Sequence, residues 1–184
     1  MKTLKLIPIH TDHPDYDFCE QLYLSAFPPT ERRNKEQQRV LTDENPDFYC
    51  CILSVNDKAV GFITYWEFDT FIYIEHFAVE PSMRGKNIGS HVLNSIHAKQ
   101  TKPVILEVER PDTDIAHRRI SFYERCGYKL WTQDYLQPPY QEGYPLLPLY
   151  LMCHGNLTEE QDFNSIKALL YQKVYHYNKS NSNL

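Results

Sequence analysis

Val79-Glu80-Pro81-Ser82-Met83-Arg84-Gly85-Lys86-Asn87-Ile88-Gly89-Ser90 joins an apolar run, Phe71–Val79, to a segment carrying Ile88, Val92, Leu93 and Ile96 at helical spacing. A strand therefore passes through a short Glu-Pro link and an Arg-Gly-x-x-x-Gly turn into an amphipathic helix. The first N–H groups of a helix lack internal partners and carry a partial positive charge. Small residues that adopt positive φ let such a backbone wrap a phosphate, and Arg84 and Lys86 add cations beside it. The stretch reads as a diphosphate seat; a turn whose glycines only relieve backbone strain is the alternative. Walker A is excluded, because Gly85 and Gly89 are wrongly spaced and Lys86 follows the first glycine. The dinucleotide fingerprint is excluded for want of a third glycine.

Upstream, residues 4–9 read as a strand that Pro8 restricts to an edge. Phe18, Cys19, Leu22, Tyr23 and Ala26 mark a helix ended by Phe27-Pro28-Pro29. A charged, Gln-rich helix is expected from Thr30 to about Leu41, with Glu31, Arg32 and Arg33 on a solvated face. Phe48–Val55 and Val60–Phe68 form a hairpin about Asn56-Asp57, continued by Phe71–Val79 as an antiparallel meander. Downstream, a buried strand (Val104–Val108) and a helix (Ile115 to about Arg125, stopped by Gly127) imply a right-handed crossover with parallel pairing. Two more strands, 128–135 and 147–153, flank a Pro/Tyr-rich loop. Thr158–Gln161 reads as a capping box, and Phe163, Ile166, Leu169, Leu170 and Val174 form the apolar stripe behind it.

The balance of 19 Lys+Arg against 24 Asp+Glu, a net charge of −5, argues against a partner made of nucleic-acid phosphates. Five cysteines without a CxxC pair suggest reduced thiols rather than disulfides or zinc. The opening MKTLKLIPIHTDHPDYD turns polar before a signal-peptide apolar stretch develops, and no apolar run nears the ~20 residues of a membrane span. A cytoplasmic protein without membrane or metal partners is expected.

Val79 through Ser90 and the following helix resemble the acetyl-CoA loop of the GCN5-related N-acetyltransferase (GNAT) superfamily. Arg84, Asn87 and Gly89 fall on the fixed positions of its Gln/Arg-x-x-Gly-x-Gly/Ala pattern. Asn87 departs from the usual glycine, but Asn is the non-glycine residue most tolerant of left-handed backbone, so the loop shape should survive. Ile120–Tyr128 (ISFYERCGY) resembles the family's later helix, apolar-x-Phe/Leu-Tyr-Glu-x-x-Gly-Phe, though Ala116 stands where relatives often carry Asn. The resemblance implies an α/β (α+β) GNAT fold: a mixed central sheet of six or seven strands flanked by helices over residues 1–155. An extra C-terminal helix (156–178) would pack on the domain or on a second subunit, followed by a polar tail (179–184).

It also implies acetyl-CoA as co-substrate, a small-molecule or peptide amine as acceptor, and a monomer or homodimer. Backbone N–H groups from Arg84, Gly85, Lys86, Asn87, Ile88, Gly89 and Ser90 would hold the diphosphate. Phe77, Ala78 and Val79 would pair with the pantetheine arm as an added strand. Tyr123 matches the tyrosine that protonates the departing sulfur, with a packed core aromatic as its alternative. Glu107 is the first choice of general base and Glu75 the rival; purely structural hydrogen bonding is the alternative for both. His76 is expected on the opposite face from Glu75 by strand alternation. Tyr135, Tyr140 and Tyr144 could wall an amine pocket or simply stiffen their loop. The expected reaction is direct attack of the amine in a ternary complex. The competing reading is a non-catalytic acyl-CoA-binding sensor or scaffold.

Overall fold

The computed structural model of the chain describes residues 4–177; the tail expected at 179–184 lies outside them. Strand β1 (Leu4–Ile9) takes one edge of a seven-stranded sheet, the place where a proline is best tolerated in a strand. Helices α1 (Tyr16–Ala26) and α2 (Lys35–Glu44) precede the hairpin of β2 (Phe48–Val55) and β3 (Lys58–Glu67). Asn56 and Asp57 at its turn take φ of 52° and 61°, as a two-residue hairpin requires. The chain continues through β4 (Ile72–Val79), α3 (Ile88–Lys99), β5 (Val104–Glu109), α4 (Asp114–Arg125), β6 (Lys129–Gln137), β7 (Leu147–His154) and α5 (Glu159–Lys173). Strand order is β1-β2-β3-β4-β5-β7-β6, with β4 and β5 parallel and the other neighbours antiparallel.

Two apolar layers cover the sheet. Tyr16, Cys19, Leu22 and Tyr23 of α1 share one with Phe163, Ile166 and Leu170 of α5. Val92, Leu93 and Ile96 of α3 and Ile120 of α4 fill the other. Adjacent strand residues face opposite sides, so Cys50 lies in the first layer and Cys51 in the second. No helix among the described residues is long and apolar enough to cross a membrane.

The sheet splits in its middle. β4 and β5 pair only over Ile72–Ile74 and Val104–Leu106; beyond that β4 stays with β3 and β5 with β7. Between them a wedge opens, edged by unpaired backbone of residues 75–79 and 107–109.

Three local expectations need correction. Thr30 and Glu31 lie in a short turn of 3-10 helix, Pro29–Glu31, and α2 begins only after Asn34. There the Asn34 side chain accepts the Gln37 N–H (2.9 Å) and Gln37 accepts that of Asn34 (3.3 Å), a complete capping box inside the stretch read as continuous helix. At α5 the reverse holds: Thr158 precedes the helix, but its side chain caps nothing. Asp162 instead accepts the Thr158 N–H (2.7 Å), and Glu159 accepts that of Gln133, tying the helix start to β6. The third correction is a β-bulge. Thr64 pairs with His76 and Tyr65 with Ile74, so Glu75 is an extra residue in β4. The bulge cancels strict alternation, and His76 Nδ1 lies 3.8 Å from Glu75 Oε2 instead of across the sheet.

Candidate active site

A groove of about 640 Å³ runs between the turn after β4 and helix α4, within the size range of ligand sites. Asn87 adopts left-handed backbone (φ 59°) at the start of α3, as Gly85 does before it (φ 75°). The Arg84 N–H donates to the Pro81 carbonyl, and the next to find an acceptor is that of His91, on the Asn87 carbonyl at 3.1 Å. The N–H groups from Gly85 through Ser90 thus have no acceptor among the described residues. Arg84, Arg118, Arg119 and Arg125 line the same groove, a local positive field on an acidic chain. Arg84 Nε donates to the Val79 carbonyl (3.1 Å), fixing the turn to the end of β4. Lys86 turns back onto the Ser82 carbonyl (3.1 Å) and lies outside the groove lining. Gly89 is needed for packing as well, since a Cβ there would meet Phe122 Cζ at 3.0 Å.

The groove leads into the wedge between β4 and β5, a cleft of about 290 Å³. Phe77, Val79, Arg84, Arg119 and Tyr123 border both spaces, and Ala78 borders the cleft. Tyr123 therefore stands where they meet. Burial pushes its phenol up to about 12, with Arg119 pulling the other way and Cys126 adding to the rise. Its hydroxyl has no hydrogen-bond partner among the described residues.

Glu107 borders the cleft from β5. Its carboxylate accepts from the Tyr135 hydroxyl, from Gln137 Nε2, and from the Tyr175 hydroxyl at 3.0 and 2.8 Å. Tyr73 and Tyr175 hydroxyls lie 3.0 Å apart. Burial raises the Glu107 carboxyl above the usual carboxylate range, and these donors, which favour the anion, offset only part of that. No cation pairs with it among the described residues.

Glu75, the bulge residue, is bound differently. Arg33 Nη1 donates to it at 2.8 Å and Trp66 Nε1 at 3.2 Å. Arg33 was expected on a solvated face, yet it is 8% exposed. Burial works against its charge, but Glu75 first, with Tyr140 and Tyr23 adding to it, outweighs burial and holds the guanidinium above its ordinary range. Its Nη2 donates to the Val174 carbonyl just past α5 (3.0 Å), and it lies 4.7 Å from the Tyr140 ring centroid. The cation that Tyr140 meets is thus the chain's own. Of the other two tyrosines, Tyr135 is buried against Glu107 and Tyr144 is exposed.

Several groups in this region escaped the reading of the sequence. The α4 arginines carried a usable signal, because Ile115, Arg118, Phe122 and Arg125 recur at helical spacing on the groove side. Gln137 and Tyr175 carried none: they reach Glu107 from 30 and 68 residues away. Ala116 is buried and offers no polar side chain.

A mixed sheet split beside a phosphate-type turn and an α4 tyrosine defines the GNAT class of acyltransferases. The chain matches the acetyltransferase (GNAT) family over residues 16–128 and belongs to that family. It is 44% identical to a Bacteroides thetaiotaomicron protein assigned to the GNAT acetyltransferases, whose structure superposes with a TM-score of 0.92 over 95% of this chain and 99% of that one. It is also 30% identical over 105 residues to YjbC of Bacillus subtilis (strain 168), provisionally described as an acetyltransferase. That match takes in 56% of this chain and 52% of YjbC, so the chain spans about half the length of that relative. A GNAT acetyltransferase of Elizabethkingia anophelis with acetyl-CoA bound shares the fold: TM-score 0.56, 15% identity, 83% of this chain and 98% of that one.

Proposed function

We infer that the protein transfers an acetyl group from acetyl-CoA to a primary amine by direct attack within a ternary complex. The observation that carries this reading is the run of unpartnered N–H groups from Gly85 to Ser90, opening onto an arginine-lined groove that leads past Tyr123 to Glu107. Those N–H groups and the groove arginines suit the diphosphate of CoA. The unpaired edge of β4 from Phe77 to Val79 suits the amides of the pantetheine arm, and directs the thioester into the wedge.

There Glu107 takes the proton of the incoming ammonium, directly or through a water. The freed nitrogen attacks the thioester carbon, the C–S bond breaks as Tyr123 gives its proton to the departing sulfur, and the second proton shed by the nitrogen as it becomes an amide returns the phenol to its neutral form. Burial favours both roles: it keeps the Tyr123 phenol protonated at neutral pH and makes Glu107 a stronger base than an exposed carboxylate. Glu75 is the weaker candidate, since Arg33 already compensates its charge. A covalent acetyl-cysteine route has little support. Of the five cysteines only Cys126 borders the groove, and burial pushes its thiol up, away from the reactive thiolate, with Arg125 offsetting part of this.

The test is CoA binding followed by turnover over an amine panel. Tyr123→Phe and Glu107→Gln should each lower kcat by about 10²–10⁴-fold while the melting-temperature rise induced by CoA is retained. CoA binding without turnover on any amine would favour the sensor reading.

A further inference from the structure

Beyond Glu107 the cleft continues into a narrower space of about 80 Å³. The carboxylates bordering it are Glu31, Glu75, Glu107 and Glu109, and the only cationic side chain bordering it among the described residues is Arg119. Their partners account for three of the four. Glu75 is paired with Arg33, Glu109 with Arg119 at 2.7 Å, and Glu107 is held by tyrosine and glutamine donors. Glu31 has none: no hydrogen bond or ion pair reaches its carboxylate among the described residues. Burial and the neighbouring Glu109 both push its carboxyl above the usual range, and Arg119 counters them in part.

A second observation points the same way. Two buried side chains bordering this space each keep one polar atom without a partner, His76 Nδ1 and Gln137 Oε1. His76 is 2% exposed and Gln137 6%. His76 Nε2 lies 3.0 Å from the Glu31 carbonyl oxygen, so that nitrogen carries the ring hydrogen and Nδ1 is a bare acceptor. Gln137 spends its amide N–H groups on Glu107 and Tyr175, leaving its oxygen idle. Apart from the remaining N–H groups of Arg119, whose Nη1 is on Glu109, the uncommitted groups here accept hydrogen bonds. An ammonium, with three donors and no acceptor, is the complementary head group. The rings of Phe27 and Tyr140 border the same space and suit the alkyl stem.

The reacting nitrogen cannot be that ammonium, because it must lose its proton to Glu107. We propose that the acceptor is a compact amine carrying a second cationic nitrogen, with Glu31 as the residue that receives the second charge. The proposal rests on the acetyltransfer reading given above. Glu107 and Glu109 are two residues apart on one strand, and Glu31 borders the space at Glu109. The two nitrogens should thus lie about 7 Å apart, two residue rises. A short diamine, or a larger molecule presenting two amines at that spacing, satisfies this.

The experiment compares 1,4-diaminobutane with n-pentylamine, which has the same number of non-hydrogen atoms and one charge fewer. Thiol release from acetyl-CoA gives kcat/KM for each. Calorimetric titration of each amine into CoA-saturated protein reads docking without turnover. The diamine should exceed pentylamine by at least about tenfold, after a twofold statistical correction, the worth of one charge-assisted contact. Glu31→Gln, nearly isosteric, should collapse that ratio, and raised salt should narrow it. Equal kcat/KM for the two amines in the wild-type enzyme overturns the proposal and leaves acetyltransfer standing. Diamine docking that depends on Glu31, with no amine acetylated, supports the docking site and overturns the catalytic reading. Absence of both docking and turnover with these two amines overturns the proposal, and the amine panel then decides acetyl transfer separately.

Discussion

Replacing Tyr175 with Phe removes one hydroxyl and leaves the ring that packs beside Tyr140. That hydroxyl contacts both oxygens of Glu107, at 3.0 and 2.8 Å, as a single shared donor. Hydrogen bonds to a charged group contribute about 1.5–3 kcal/mol, those between neutral groups about 1. The variant should therefore lose about 1.5–3 kcal/mol where Glu107 is ionised, and nearer 1 where it is protonated. The lower half of the range is the better expectation, because the Tyr73 hydroxyl is close enough to help stabilise the anion. The sign follows from linkage. Burial raises the folded-state Glu107 carboxyl, so its contribution to stability is complete below the unfolded carboxylate range and is lost as pH climbs through the folded one. Losing a donor to the anion moves that titration further up. Urea unfolding at pH 5 and pH 8 should show a larger cost for the variant at pH 8. In parallel, the acidic limb of the kcat/KM profile should move to higher pH, with the alkaline plateau largely kept. An unfolding cost independent of pH, together with an unmoved limb, would refute the idea that the segment just past α5 supplies a working donor to Glu107.

Arg33→Met leaves Glu75 buried and uncompensated, and should cost about 3–5 kcal/mol in urea unfolding. Adding Glu75→Gln should recover much of that, and a double-mutant cycle without coupling would contradict the pairing. Gly61→Ala places a Cβ 2.5 Å from the Ala78 carbonyl oxygen and 3.1 Å from Val79 Cα. Overpacking of this kind costs about 1–3 kcal/mol. Because it displaces β4 at the thioester side, the CoA-induced rise in melting temperature should shrink with it. Asn87→Gly should bind CoA at least as tightly as wild type, since glycine takes φ 59° freely. Asn87→Val, forced into the same backbone, should weaken CoA by about tenfold in calorimetry.

Much of the site was legible because its chemistry is local. The turn from Val79 to Ser90 encodes its shape in residues next to one another, and even Asn87 kept the left-handed backbone that its side chain tolerates. The hairpin at Asn56-Asp57, the edge position of β1 and the end of α4 at Gly127 were equally local. The errors share one feature. Alternation placed His76 away from Glu75, but a bulge depends on how β3 and β4 register, which no run of residues in β4 specifies. Charge patterning placed Arg33 in water, because the carboxylate that makes its burial tolerable lies 42 residues onward.

By itself, then, the sequence determined the order of elements, the left-handed turn after β4 and the place of the tyrosine on α4, all consequences of backbone preference and periodicity over a dozen residues or fewer. Only the tertiary structure decided how each carboxylate is compensated. Glu75 and Glu107 look alike along the chain, and both occupy strands that border the same wedge. One meets a buried guanidinium from before α2; the other meets hydroxyls and an amide delivered by β6 and the segment just past α5. The electrostatic character of a buried group is set by what folding brings within about 3 Å of it, and that is fixed by packing between distant segments.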